Sequence, residues 1–320
     1  MEQKGYLFVY FTGESEQGEQ IYFSVSHDGL HWMDLNGGKP VLTSGIGEKG
    51  VRDPFLIQTT DKKKFYIIAT DLRMANGRSW EEVQTSGSRA IVIWESEDLM
   101  HWSRERLAEV GISEAGCVWA PEAIYCEKED AYLVFWASRV KEEGDREPKH
   151  RIYASLTRDF TVFSEPVKYM EKENHIIDTT IIREGEYYYR ISKDETTKNI
   201  RVDRGKDLLT GSFEQKEYPE LERIYGVEGP EAYPLNDSGK WCLIIDQFAT
   251  NGGYLPLVCD DLANGDFHVL NEGDYDMGKS KKRHGSVLCI TENEMRKLMD
   301  YYGVERKNTP HAYLSIENRH

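Results

Sequence analysis

VRDPFLI (51–57), WAPEAIY (119–125), IIDTTII (176–182), VEGPEAY (227–233) and KRHGSVLCI (282–290) are one kind of segment used five times. Each sets a polar, ionisable residue at the start of a short apolar strand: Asp53, Glu122, Asp178, Glu228 and His284. Those five residues lie 50–69 positions apart. That period suits the blade of a β-propeller and is too long for one strand of a sandwich.

Two further units repeat around them. An aromatic-rich strand begins at Tyr6 (YLFVYF), Phe65 (FYIIATDL), Ala131 (AYLVFWAS), Tyr187 (YYYRISK) and Lys240 (KWCLIIDQF). Such runs, bounded by polar turns, read as strands. Each is followed by a second strand, an acidic turn residue and an aromatic. The acids are Asp28, Asp98, Asp159, Asp207 and Asp261, and the aromatics Trp32, Trp102, Phe163, Phe213 and Phe267. Because they recur in every repeat, they read as structural: a hairpin turn, then a ring packed between sheets.

The ends of the chain complete the count. The strand at Tyr6 has no inner unit before it, and the inner unit at His284 has no aromatic strand after it. Joining them makes the fifth repeat and hides the edges an open array would expose. The expected fold is therefore all-β, a five-bladed propeller closed by strands from both termini, forming one catalytic domain over 1–320. A short C-terminal helix is expected within 291–303, where Thr291 and Glu294 form a capping box and Gly303 can end it. The polar stretches 74–88 and 140–150 read as loops.

Composition excludes several partners. The 320 residues carry a net charge of −16, which argues against nucleic acid or an anionic membrane as partner. No run approaches the ~20 apolar residues that span a bilayer. The polar start at 1–5 lacks a leader pattern, and the five cysteines are odd in number and form no CxxC pair. Reduced thiols and a cytoplasmic location are expected.

In a propeller the innermost strands line a central channel, so the five polar starters are expected to converge at one of its ends. Neighbouring carboxylates repel, and their pKa values spread. One then holds a proton while another stays charged, as glycosidic hydrolysis by an acid and a base requires.

The order RDP, WAPE, IDTT, EGP, RHG resembles the family 43 glycoside hydrolases, which include β-xylosidases, α-L-arabinofuranosidases and arabinanases. The resemblance implies a carbohydrate substrate containing arabinose or xylose. It implies Asp53 as the base that activates water, Glu228 as the acid, and Asp178 as the aspartate that tunes and orients the acid. Inversion at the anomeric carbon follows, with acid and base carboxyls about 6.5–9.5 Å apart. The family has Pro after the third-blade Asp where this chain has Thr179. By position, Trp119 is expected to wall a sugar ring, and Arg52 and Arg283 to hold hydroxyls or carboxylates. Glu122 is expected to touch substrate or a neighbouring blade. His284 resembles the family's channel histidine, which lies near a calcium ion or a water cluster. No cofactor is required, and a structural calcium in the channel is allowed.

Three other functions fit the same repeats less well. A fructan-cleaving propeller would open with an NDPNG-like motif and close with an EC motif, and this chain has neither. An inverting phosphorylase would need a basic phosphate pocket, for which Arg52, Arg190 and Arg283 are the candidates. A non-catalytic carbohydrate-binding propeller has no need of a different channel residue in each blade.

Overall fold

In the computed structural model, which describes residues 3–304 apart from Gly211 and Asp237, the repeats become five four-stranded antiparallel sheets. Four sheets run outward in chain order from an inner strand: Val51–Gln58, Trp119–Cys126, Ile176–Glu184 and Glu228–Pro234. The fifth takes its inner strand, Arg283–Thr291, from the end of the chain and its next strand, Gln3–Phe11, from the beginning. These two pair antiparallel from Gln3 opposite Thr291 to Phe11 opposite Arg283. The expected propeller and its mode of closure are both present.

No single core fills the molecule. Five apolar clusters lie one between each pair of neighbouring blades. Aromatic and β-branched side chains serve this arrangement, because both faces of each sheet are covered and strands alternate between two dry interfaces. The turn aromatics behave as expected. Trp32 and Phe267 are buried in these clusters, and Trp102 and Phe163 pack against them. Phe213 reaches its interface differently, lying 3.7 Å from the guanidinium of Arg190, which also faces the Tyr169 ring of the preceding blade. The turn acids are structural: Asp28, Asp98 and Asp159 each accept two backbone amides of their own hairpin through Oδ1.

The C-terminal helix spans Glu292–Tyr302, capped by Thr291 and Glu294 as expected, and buries Met295 and Leu298 against the closing blade. The stretch 74–88, read as a loop, holds a short helix, Trp80–Thr85. Its signal was another capping box. Ser79 Oγ accepts from the Glu82 amide, and the Glu82 carboxylate accepts from the Ser79 amide. A second short helix, Pro219–Arg223, starts with Pro at its first turn.

A buried ion pair fastens the closing blade. Lys282 Nζ lies 2.7 Å from Asp34 Oδ1, with both side chains almost wholly enclosed. Ser24 Oγ and the amides of Lys279 and Ser280 donate to the same carboxylate. Replacing Asp34 by Ala strands the lysine, and loss of one partner of such a pair costs about 3–5 kcal/mol. Chemical denaturation of Asp34→Ala is expected to show that loss, and a loss below about 1 kcal/mol would show that the closure does not depend on the pair.

Candidate active site

Each inner strand breaks register near its start. The pairing shifts between Arg52 and Phe55, Trp119 and Glu122, Ile177 and Thr180, and Glu228 and Glu231. The closing strand shifts between Arg283 and Gly285, opposite Phe11 and Tyr10. A β-bulge bends its strand and re-aims a side chain. At the first four of these five bulges one residue has positive φ: Asp53 (50°), Ala120 (47°), Asp178 (48°) and Gly229 (50°). A left-handed conformation is uncommon outside glycine, least so for Asp and Asn. At Gly229 it is matched by a steric need, since a Cβ there would sit 2.7 Å from His284 Cγ.

The bulges correct the alignment drawn from sequence. The equivalent positions are Asp53, Ala120, Asp178, Gly229 and His284. Glu228 stands one residue earlier, level with Arg52, Trp119, Ile177 and Arg283. Glu122 stands two residues later, level with Glu231 and Ser286. The five ionisable starters therefore do not share one layer. The signal was present: P-E-A at 121–123 recurs at 230–232 and aligns Glu122 with Glu231.

A pocket of about 370 Å³ opens at this end of the channel, within the usual range for small-molecule sites. Arg52, Asp53, Trp119, Asp178, Glu228, Arg283 and His284 line it, as expected. Glu122 does not. It is buried one layer below, and its Oε2 has no hydrogen-bond partner. Sequence reasoning missed Lys193, Glu195, Phe248 and Trp80, which also form the wall. Trp80 rides on the short capped helix and meets Trp119 edge to face at 6.0 Å. Lys193 sits on a second strand, where alternation gives no hint that it faces the channel mouth.

His284 joins two carboxylates. Its Nδ1 lies 3.4 Å from Asp53 Oδ1 and 3.8 Å from Asp178 Oδ2. Thr70 Oγ1 donates to Asp53 Oδ2, and the Gly229 amide donates to Asp178 Oδ2. Glu228 is held by Lys193 Nζ on Oε2 and by Arg283 on Oε1, each at 2.8 Å. Arg283 is itself anchored to Asp246 Oδ2 at 2.5 Å.

These contacts separate the charge states. Burial pushes the Asp178 carboxyl up to about 6 despite His284 and Lys193, with Glu228 and Asp53 adding to the rise. Burial also opposes charge on Asp53, but His284, Arg52 and Thr70 outweigh it and hold the group below its ordinary value. Glu228 is likewise held low by Lys193 and Arg283 against burial. Burial would discharge His284, yet Asp178, Asp53 and Glu122 raise it to about 10. Beneath, burial and the proximity of Glu231 push Glu122 well up, and burial raises Glu231 to about 8. A calcium ion needs six to eight oxygen ligands. Among the described residues no group of three or more His, Cys, Asp and Glu is arranged to hold a metal.

A family model described as a probable glycosyl hydrolase domain, related to family 43, matches residues 2–296. The chain belongs to that glycosyl hydrolase 43-related family. A curated α-L-arabinofuranosidase of Bifidobacterium longum subsp. longum is 30% identical over 289 residues, 77% of this chain. The chain spans 27% of that relative's length. Among solved structures, a family 43 β-1,3-galactosidase bound to galactodeoxynojirimycin superposes with a TM-score of 0.58 at 12% identity, covering 89% of this chain and 93% of that one. A family 43 protein mutant from Bacillus licheniformis gives 0.56 at 18% identity, over 91% and 57%. At such identities these structures speak for the propeller fold alone.

The imidazolium has a measurable consequence. A histidine whose pKa rises from its ordinary ~6.5 to about 10 in the folded chain contributes stability that is full below the lower value. That contribution is lost as pH climbs through the higher one. Between these limits the wild type is expected to lose unfolding free energy more steeply than His284→Gln, as urea titrations at pH 6, 8 and 10 would show. Parallel slopes would mean that His284 is neutral in the pocket.

Proposed function

We propose that this chain is an inverting glycoside hydrolase that releases pentose units, α-L-arabinofuranose first among them, from neutral oligo- or polysaccharides. The observation that carries this reading is the convergence of Asp53, Asp178 and Glu228, from three different blades, on one aromatic-walled pocket, where Asp178 is raised while Asp53 and Glu228 are held low. Asp53, ionised and oriented by His284 and Thr70, takes a proton from the attacking water. Glu228 delivers a proton to the departing oxygen as the C–O bond breaks. Asp178 faces His284 and the backbone amide beside Glu228, which lets it orient the acid and shape its field. The arabinofuranosidase relative supports the choice of sugar.

The same charges favour water over phosphate as the nucleophile. Arg52 is paired with Glu14 and Glu19, Arg283 with Asp246 and Glu228, and Lys193 with Glu195 and Glu228. Arg190 lies away from the pocket, stacked on Phe213 and 3.6 Å from Asp203. No cation among those lining the pocket is left for a free anion, so a phosphorolytic reaction and a uronic acid substrate are both disfavoured. The helix carrying Trp80 walls one side, its Glu81 tied to Arg139 at 3.1 Å. A pocket closed on that side suits removal of terminal residues better than internal cleavage.

Purified protein is expected to hydrolyse nitrophenyl α-L-arabinofuranoside or arabino-oligosaccharides without added phosphate. Proton NMR during turnover is expected to show the inverted anomer first. Asp53→Ala and Glu228→Ala should each lower kcat on natural linkages by roughly 10²–10⁴-fold, the usual contribution of a positioned acid or base. Retention of configuration, or variants within a few-fold of wild type, would overturn these roles.

A further inference from the structure

The acid in this reading carries an apparent contradiction. Glu228 must hold a proton to protonate the leaving oxygen, yet two cations rest on its carboxylate. The two are not alike. Arg283 is fixed from behind by Asp246, and its planar fork reaches Glu228 from that anchor. Lys193 is a compact ammonium with a second acceptor already in range: its Nζ lies 2.8 Å from Glu228 Oε2 and 2.7 Å from Glu195 Oε2. Glu195 Oε2 is buried and makes no aligned hydrogen bond. The other Glu195 oxygen pairs with Lys198. The Phe248 ring covers the ammonium at 4.2 Å.

We propose that Lys193 is a positioning residue shared between Glu228 and Glu195, resting on Glu228 while that carboxylate is charged and passing to Glu195 when Glu228 takes up a proton. The inference rests on the assignment of Glu228 as the acid. A small movement of the ammonium suffices, because both carboxylates already flank it. When Glu228 gives its proton to the glycosidic oxygen, negative charge returns to its carboxylate and Lys193 returns with it. The interaction is then stronger in the transition state than in the ground state, which is the condition for accelerating chemistry. The charges that face Glu228 are Lys193 and Arg283 in contact, with Arg52, Asp178 and Asp246 around them. Burial alone would raise its carboxyl, and Lys193 is the largest influence lowering it. The raised pKa of Lys193 agrees, since Glu228, Asp178 and Glu195 together outweigh its own burial.

The test is a carbon-13 NMR titration of protein labelled at the Glu side-chain carboxyls, with Glu228→Gln identifying the Glu228 resonance. Lys193→Met is expected to raise the Glu228 midpoint by about one unit or more, a tenfold change in proton affinity. Glu195→Gln, which leaves the ammonium to Glu228 alone, is expected to lower it, and the shift should vanish in the Lys193→Met background. A Glu228 midpoint that stays put in both single variants would overturn the proposal. So would shifts in the same direction, or a Glu195→Gln shift that persists without the lysine. If Lys193→Met fails to fold, Lys193→Gln, which keeps a polar side chain without the charge, takes its place in the single and double variants, and the same outcomes decide. The acid assignment is tested separately with Glu228→Gln on aryl glycosides of graded leaving-group acidity. A loss that grows with leaving-group pKa upholds it. A uniform loss removes the assignment whatever the titration shows.

Discussion

The pairing of the first strand with the last is the constraint on which everything else rests. Gln3–Phe11 lies against Arg283–Thr291, and without that ladder the ring is an open array with two bare edges. Closure also brings His284 and Arg283, from the end of the chain, against Asp53 and Glu228, from the two blades that flank the closing one. The pocket is thus a product of ring closure. The Lys282–Asp34 pair sits immediately beside those residues in sequence and ties the approach to the closing strand onto the blade it completes.

Given the ring, the bulges do the aiming. A regular strand would point alternate residues into neighbouring blades and leave few side chains directed along the channel axis. The extra residue at each bulge turns Asp53 and Asp178 toward the mouth at the cost of a left-handed backbone. Strain of this kind persists where surrounding structure over-determines it. Here Thr70 holds Asp53 and the next blade's Ala120 amide together, and the Gly229 amide holds Asp178.

The third feature is charge balance in a small buried volume. Asp53, Asp178, His284 and Glu228 are too close to titrate independently, so their protonation belongs to the cluster. The imidazolium allows Asp53 to remain charged despite burial, while Asp178, more weakly served, moves toward neutrality. Every cation in the wall has a carboxylate partner, which leaves hydrogen bonding and ring stacking as the means of recognising a ligand.

The sequence by itself determined the number of blades, the way they close and most of the charged residues at the channel mouth. These follow from local patterns: a repeating strand composition, turn acids at fixed offsets and a shift of register between the two ends. The capping box at Ser79 and the repeated P-E-A were equally local, and were legible though not read. Only the tertiary structure decided which layer each acid occupies, since a bulge displaces a residue by one position without changing composition. That is why Glu122 left the pocket and Glu228 entered it from a different register. Lys193, Glu195, Phe248 and Trp80 lay beyond sequence for a related reason. They belong to second strands, loops and an inserted helix, and their convergence depends on how separate blades pack around a common axis, which no local pattern encodes.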